Sequence, residues 1–225
     1  ATLWISMTHI INILIEISCL IASLFFLRND VTRFSCITTG YLAIVCVTEI
    51  IGLLYVKTFH QSNAWIYNIF IIFEATYISF GLYFALKSLT SKAIVICSFP
   101  LVIFCSIYVF EIFNHGYLRF QTLAITIESV LFVFISLIYF YLLIKQKDPI
   151  NLKTHPQFWW VAAVLFYYFG GTIYNLFIHF LYKDFPKSYA ILIYIMLGLN
   201  LLLYSIWIYS FICNSRQRKL LSSLY

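Results

Sequence analysis

Four glutamates lie near the middle of separate apolar stretches of this sequence: Glu16, Glu49, Glu74 and Glu128. They are half of the eight acidic residues in the chain, and no lysine or arginine shares a stretch with them. A carboxyl group in such a setting stays protonated, shares protons with neighbouring hydroxyl, amide or imidazole groups, or binds a cation. These residue types therefore indicate proton exchange, cation binding or hydrogen bonding between helices.

The composition predicts that the bilayer is the solvent of this chain. Of its 225 residues 63% are hydrophobic and 10% charged, and the mean hydropathy is +0.95. Soluble domains carry about 25% charged residues. In lipid, helices and closed barrels are the structures that satisfy every backbone polar group. Because the apolar runs last about 20 to 26 residues, without the short alternation of barrel strands, the predicted fold is all-α.

The runs predict a seven-transmembrane-helix bundle that forms a single domain over 1–225. The predicted spans are about 4–27, 36–56, 64–86, 93–113, 120–144, 157–182 and 188–213, followed by a basic tail at 214–225. The first run lacks a basic n-region and a small-residue cleavage site, which predicts a full span instead of a cleaved signal peptide. No soluble domain is expected.

Basic residues are divided unevenly between the two sides of the predicted bundle. Ten fall on the side of the tail: Arg28, Arg33, Lys87, Lys92, Lys145, Lys147, Lys153, Arg216, Arg218 and Lys219. Four fall on the other side: Lys57, Arg119, Lys183 and Lys187. The positive-inside rule then predicts the N-terminus outside and the C-terminus inside. The basic tail is expected to contact anionic lipid or to dock a cytoplasmic partner.

The depths of the four glutamates predict one polar interior. Each lies about 8 to 12 residues below the predicted outer end of its span, or roughly 12 to 18 Å at the helical rise per residue. Other polar side chains fall at comparable height or on the same helical faces: Asn12, Tyr77, Asn175, Asn200 and Tyr204. We therefore expect an acidic cavity in the outer half of the bundle, lined by these residues and the glutamates, that binds a small ligand or cation.

Several known site types lack their residues here. Retinal requires a lysine within the last span, but the predicted seventh span has none between Lys187 and Lys219. The histidines are too dispersed for a haem pair or a zinc hydrolase, and no Glu-x-x-His pair indicates a di-iron site. The six cysteines lack the spacing of a zinc knot or a disulfide framework. We expect no cofactor and no enzymatic activity, and the identity of any metal is left open.

The seven-span plan, with a nonpolar fourth span, is similar in topology to that of the small seven-span sugar transporters, although spans 1 and 5 lack the proline of that family. A broader resemblance rests on three stretches, 65–84 (WIYNIFIIFEATYISFGLYF), 155–171 (HPQFWWVAAVLFYYFGG) and 198–213 (GLNLLLYSIWIYSFIC). They resemble the small, largely uncharacterised seven-span integral membrane proteins of Bacteroidota-type bacteria. That resemblance implies a multi-pass protein of the bacterial inner membrane, working with separate signalling proteins.

Three functions fit an acidic core without a basic partner. The first is a non-enzymatic receptor-like protein or sensor, whose partners are the bilayer, a small ligand or cation, and a separate cytoplasmic signalling protein. The second is a proton- or cation-coupled transporter of a small solute. The third is a structural or accessory subunit of a membrane complex, in which the glutamates specify assembly. Nucleic acid is not an expected partner, and the sequence leaves the oligomeric state open.

Overall fold

The computed structural model is an all-helical bundle, and it describes residues 2–28, 30, 32–146, 151–184 and 189–222. For 2–7, 177–184, 189–190 and 221–222 the description is of the backbone alone. The helices are α1 (Thr2–Phe26), α2 (Arg33–Phe59), α3 (Ala64–Leu86), α4 (Ala93–His115), α5 (Thr122–Ile144), α6 (Pro156–Asp184) and α7 (Tyr189–Ser222). A single 3₁₀ turn, Leu152–Thr154, precedes α6. The prediction of an all-α bundle of seven helices is confirmed.

Local sequence signals explain several helix ends. Thr32 caps α2 by accepting a hydrogen bond from the Ser35 backbone N–H at 3.4 Å. His60 ends the same helix in the left-handed conformation, with φ 54°. Pro156 occupies the first position of α6, where its missing N–H costs no helical hydrogen bond.

The helices form a ring in chain order, closed by α1 against α7, and α3 lies on the inner side. Besides its sequence neighbours α2 and α4, α3 also packs against α5 and α6. This position explains why α3 buries about half of its length, with Ala75, Ile78, Leu82 and Leu86 at 1% exposure or less. We call the end of the bundle where α1 begins the N-terminal end, and the end where α7 stops the C-terminal end.

The outer faces of the bundle are apolar and exposed, as a membrane protein requires. Phe25, Phe113 and Ile144 are 77%, 85% and 83% exposed. Within the described residues, six helices, α1 to α5 and α7, are long and apolar enough to cross a bilayer. The protein is therefore a multi-pass membrane protein. The helix outside this set, α6, is 29 residues long and is rich in tryptophan and tyrosine.

Helix α7 differs from the prediction at its C-terminal end. The sequence predicts a span to residue 213 and then a separate tail, but α7 continues as a helix to Ser222. Polar side chains of this extension bind the neighbouring connections between helices. Asn214 donates to Asp30, between α1 and α2, at 2.7 Å, and Gln217 donates to the Thr154 carbonyl, just before α6, at 2.9 Å. These contacts keep the tail helical because they attach its first turns to the bundle.

A polar cluster fixes the connection between α4 and α5. The Asn68 side chain on α3 donates to the carbonyls of Tyr117 and Arg119, each at 2.7 Å, and accepts from the Gln121 backbone N–H at 3.2 Å. Glu111 on α4 accepts from the N–H groups of Leu123 and Ala124 at 3.1 and 2.9 Å. The carboxyl of Glu111 thus caps the N-terminus of α5. The sequence analysis assigned no role to Glu111 or Asn68.

Candidate functional site

A polar cavity of about 500 Å³ opens at the N-terminal end of the bundle. We call it the N-terminal cavity; it is lined by Thr8, His9, Asn12, Glu49, Val56, Asn63, Tyr67, Phe120, Tyr174, Ile193, Met196, Leu197 and Asn200. Its walls come from α1, α2, α3, α6 and α7, together with Asn63 just before α3 and Phe120 two residues before α5. It brings together three residues that the sequence predicted as one site, Asn12, Glu49 and Asn200.

Asn12 connects α7 to the first glutamate. The Asn200 side chain donates a 2.8 Å hydrogen bond to Oδ1 of Asn12, whose Nδ2 donates to Oε1 of Glu16 at 2.7 Å. Glu16 is buried one turn below the cavity, at 3% exposure, and its Oε2 has no hydrogen-bond partner within the described part of the chain. The Asn200–Asn12–Glu16 chain therefore joins the cavity to a buried carboxyl group.

Glu49 lies on the wall of the cavity itself. The Tyr67 hydroxyl on α3 donates to Oε2 of Glu49 on α2 at 3.1 Å. Glu49 is half-buried and is close enough to Glu16 for their charges to interact. Two carboxyl groups are thus adjacent, one lining the cavity and one just beneath it.

The other two glutamates form a separate pair. The Tyr168 hydroxyl on α6 donates to Oε1 of Glu74 on α3 at 2.6 Å. Glu128 on α5 is 4% exposed and interacts electrostatically with Glu74, while its Oε1 has no hydrogen-bond partner among the described residues. Neither residue lines the N-terminal cavity. The structure therefore places the predicted acidic layer as two pairs, Glu16 with Glu49 and Glu74 with Glu128.

Tyr167 lies between the two pairs, within electrostatic range of all four glutamates. Neither Tyr167 nor its neighbour Tyr168 is among the site residues predicted from the sequence. A helical face assigned by periodicity cannot show that two adjacent tyrosines both turn inward, one as the partner of Glu74 and one between the pairs. The Tyr168 hydroxyl is thus hydrogen-bonded to one carboxyl group, and the Tyr167 side chain lies near all four.

Tyr77 belongs to an aromatic core and not to the acidic pairs. Its hydroxyl donates to Thr38 Oγ1 at 3.2 Å and accepts from Trp160 Nε1 at 3.4 Å. Its ring stacks on Tyr41 at 3.9 Å between centroids, and Trp160 stacks on Trp207 at 5.7 Å. We call these four residues, Tyr41, Tyr77, Trp160 and Trp207, the aromatic layer. The prediction that Tyr77 faces the acidic residues is not met, because its partners lie closer to the C-terminal end.

Tyr204 and Asn175 occupy different positions from each other. Tyr204 is 5% exposed, with its ring edge-on to Trp207 at 5.9 Å, and it lies near Glu16. It therefore lies between the buried carboxyl and the aromatic layer. Asn175 is half-buried on α6 but does not line the N-terminal cavity, to which α6 contributes Tyr174 instead. The side chain of His179, one turn further along α6, lies outside the described residues.

A second cavity, of about 180 Å³, lies at the C-terminal end on the other side of the aromatic layer. We call it the C-terminal cavity; its lining includes Asp30, Phe34, Ser35, Gly81, Trp160 and Asn214. Asp30 accepts hydrogen bonds from the Ser35 hydroxyl at 2.5 Å and the Thr32 backbone N–H at 3.0 Å, besides that from Asn214. Burial alone would raise the pKa of Asp30, but these hydrogen bonds outweigh it and hold the pKa below its usual value.

The described residues show no ready-made metal centre. Among them, no group of three His, Cys, Asp or Glu side chains is arranged to hold a metal ion. All six cysteines are free thiols. A cation in the N-terminal cavity would therefore meet the Glu49 carboxyl and amide and hydroxyl oxygens, with His9 as the one other His, Cys, Asp or Glu side chain among the described lining residues. Two such side chains are too few for a typical transition-metal site, and the set suits an organic ammonium group better.

Comparison with protein families, with curated proteins and with solved structures finds no match to this chain.

Proposed function

We propose that this protein is a non-enzymatic, receptor-like membrane protein that binds a small organic cation in its N-terminal cavity. The observation that carries the proposal is the composition of that cavity, where the Glu49 carboxyl, the amides of Asn12 and Asn200 and the Tyr67 hydroxyl share one space. A volume of about 500 Å³ lies within the range of small-molecule sites. No lysine or arginine lines this space among the described residues.

The chemistry of the wall favours a cationic ligand with a small apolar body. An ammonium group would pair with Glu49, with further hydrogen bonds to amide oxygens, and such charge-assisted hydrogen bonds are roughly twice as strong as neutral ones. The opposite wall offers Ile193, Met196 and Leu197 to an apolar part of the ligand. A primary amine of a few carbon atoms combines these features.

Contacts between α1 and α7 supply a route for the signal. At the N-terminal end the two helices are joined by the Asn200–Asn12 hydrogen bond, on the wall of the cavity. At the C-terminal end Arg218 donates to the Phe26 carbonyl at 2.5 Å. A ligand that competes for Asn12 or Asn200 changes the packing of α7 on α1, and the change reaches the basic C-terminal end because both contacts lie on the same two helices.

The proposed setting is the bacterial inner membrane, with the N-terminal end outside. The resemblance to small seven-span bacterial proteins and the excess of basic residues at the C-terminal end support it. A receptor in this orientation would pass its signal to a separate cytoplasmic protein at the C-terminal end.

The test titrates the protein in nanodiscs with butylamine, putrescine or tetramethylammonium and measures the heat of binding by calorimetry. We expect saturable binding of at least one amine, weakened roughly tenfold or more in E49Q because a charged hydrogen-bond partner is lost. The control is E111Q, which makes the same change at the same end but on a carboxyl that caps α5. Equal affinities in E49Q and E111Q would refute the proposed site.

The second candidate is a cation-coupled transporter, which the two cavities at opposite ends of the bundle favour. The N-terminal and C-terminal cavities lie on either side of the aromatic layer, an arrangement that resembles a closed state of an alternating-access carrier. Flux distinguishes the two functions: uptake of a bound amine or of protons into proteoliposomes, lost in E49Q, would establish transport. If E49Q and E128Q alter neither binding nor flux, the glutamates serve assembly.

A further inference from the structure

A groove runs between α1 and α7 on the outside of the bundle, at the C-terminal end. Its volume is about 870 Å³, and it is lined by Ile21, Leu24, Phe25, Phe26, Arg28, Ser215, Arg218 and Lys219. The apolar members lie on α1 toward the middle of the bilayer. The basic members lie beyond them, at the end of α1 and on the extension of α7. The groove therefore changes from apolar to cationic along the membrane normal.

The apolar part of the groove faces lipid. Ile21, Leu24 and Phe25 are 60%, 54% and 77% exposed. Leu24 and Phe25 follow Ile21 by three and four residues on the same helix, so the three side chains form a continuous surface. Exposed apolar side chains at this depth are the normal contact of an acyl chain. By themselves they would bind any lipid without preference.

The cationic part of the groove contains a guanidinium with an unmet hydrogen bond. Arg218 Nη2 donates to the Phe26 carbonyl at 2.5 Å, which fixes the side chain against the end of α1. Arg218 Nε is buried, and it has no acceptor within the described part of the chain. The guanidinium as a whole lines the groove, and a phosphate oxygen is a strong acceptor for its planar donors.

No acidic side chain is among the residues that line this groove. Asp30, in the connection between α1 and α2, lines the C-terminal cavity instead, and its carboxylate accepts hydrogen bonds from Ser35, Thr32 and Asn214. Arg28 is exposed at the rim and adds to the positive potential. The groove thus offers cations, one of them fixed against the end of α1, next to an acyl-chain surface.

We propose that this groove is a binding site for an anionic phospholipid. The lipid phosphate accepts from the part of the Arg218 guanidinium that lines the groove and lies near Arg28, and one acyl chain lies along Ile21, Leu24 and Phe25. The occupant is a membrane lipid and not a soluble anion, because the apolar and cationic parts of the groove are continuous. The proposal is independent of ligand binding in the N-terminal cavity, which lies at the other end of the bundle.

The test uses the full chain in mixed micelles, with native mass spectrometry to count retained phosphatidylglycerol against phosphatidylcholine. We expect the unsubstituted protein to retain phosphatidylglycerol preferentially. R218Q is expected to reduce that preference roughly fivefold, which corresponds to the contribution of one basic residue near anionic lipid. The matched control is R216Q, which removes the same charge two residues away on α7 from an exposed position outside the groove.

A second variant separates lipid binding from packing. R28Q removes a charge from the rim without touching the Phe26 carbonyl, and it is expected to weaken phosphatidylglycerol retention even if R218Q folds poorly. Equal losses in R216Q and R218Q would overturn the proposal, since they would show diffuse attraction to a basic helix. Displacement of the lipid by millimolar inorganic phosphate would overturn it as well, by showing that the acyl-chain surface contributes nothing.

Discussion

Tyr168 on α6 donates a 2.6 Å hydrogen bond to Oε1 of Glu74 on α3, so two helices far apart in sequence share one polar contact in the bundle interior. Glu74 in turn interacts with Glu128 on α5. The three helices α3, α5 and α6 thus meet at a pair of carboxyl groups, one of which is hydrogen-bonded to a tyrosine hydroxyl.

Removing this donor is expected to destabilise the bundle. Y168F leaves Glu74 without its tyrosine partner at unchanged side-chain volume, and should lower the free energy of unfolding by about 1–2 kcal/mol. The measurement is thermal unfolding in detergent, monitored by tryptophan fluorescence. The control is Y194F, which removes a hydroxyl from a residue that is 50% exposed. An equal melting temperature for both variants would show that the contact contributes nothing.

The cap that Glu111 provides for α5 makes a second prediction. E111A removes acceptors from the N–H groups of Leu123 and Ala124 and should cost about 1–2 kcal/mol of stability, as for other helix caps. E111Q should cost less, because the amide keeps one acceptor oxygen. N114A, at the same end of α4, serves as the control, since Asn114 is exposed and donates to its own helix. Loss of stability in N114A as large as in E111A would contradict the capping role.

The Asp30 carboxylate predicts a pH dependence. Its pKa is lower in the folded protein than in the unfolded chain, because Ser35, Thr32 and Asn214 donate to the ionised form. Its stabilising contribution is therefore complete above the unfolded-state pKa, near 4 for an aspartate, and is lost as the pH falls through the folded-state value. We expect D30N to have a lower melting temperature than the unsubstituted protein at pH 7. The difference between the two melting temperatures should become smaller below about pH 4. A difference that stays constant with pH would contradict the prediction.

Gly81 provides a packing prediction on the wall of the C-terminal cavity. A Cβ atom at this position of α3 would overlap the ring of Trp160, which is held by its stack on Trp207. G81A is therefore expected to destabilise the protein by about 1–3 kcal/mol, as overpacked cores do. G40A on α2 is the matched control, because nothing lies within 4 Å of its added Cβ. G40A should leave the free energy of unfolding unchanged or raise it by up to about 1 kcal/mol, since alanine favours a helix more than glycine does. A change in the free energy of unfolding of the same sign in G81A and G40A would refute the close contact between Gly81 and Trp160.

Much of the fold could be predicted from the sequence, because apolar length alone identifies spans in a bilayer. The predicted helix ends differ from the observed ones by a few residues at most positions, as at α2, predicted from 36 and observed from Arg33. The exception is α7, whose C-terminal extension is polar and is held as a helix by tertiary contacts of Asn214 and Gln217. A hydropathy pattern does not contain such contacts.

The candidate site was predictable in its local part. Asn12 and Glu16 lie four residues apart, so helical periodicity alone puts them on one face, and they are hydrogen-bonded. Periodicity does not tell which helices are neighbours. The pairings of Glu49 with Tyr67 and of Glu74 with Tyr168, and the division of the glutamates into two pairs, depend on α3 lying inside the ring. Glu111 was overlooked because a carboxyl at a span end resembles an ordinary interfacial residue.

The aromatic layer has an electrical consequence. Water in the cavity on each side of it would concentrate the transmembrane potential across Tyr41, Tyr77, Trp160 and Trp207. A full crossing of the field is worth about 2.3 kcal/mol per elementary charge at 100 mV. A cation that reaches Glu49 from the N-terminal end crosses little of that drop, so its affinity should be nearly insensitive to voltage. A charge that passes the aromatic layer would experience almost the whole potential.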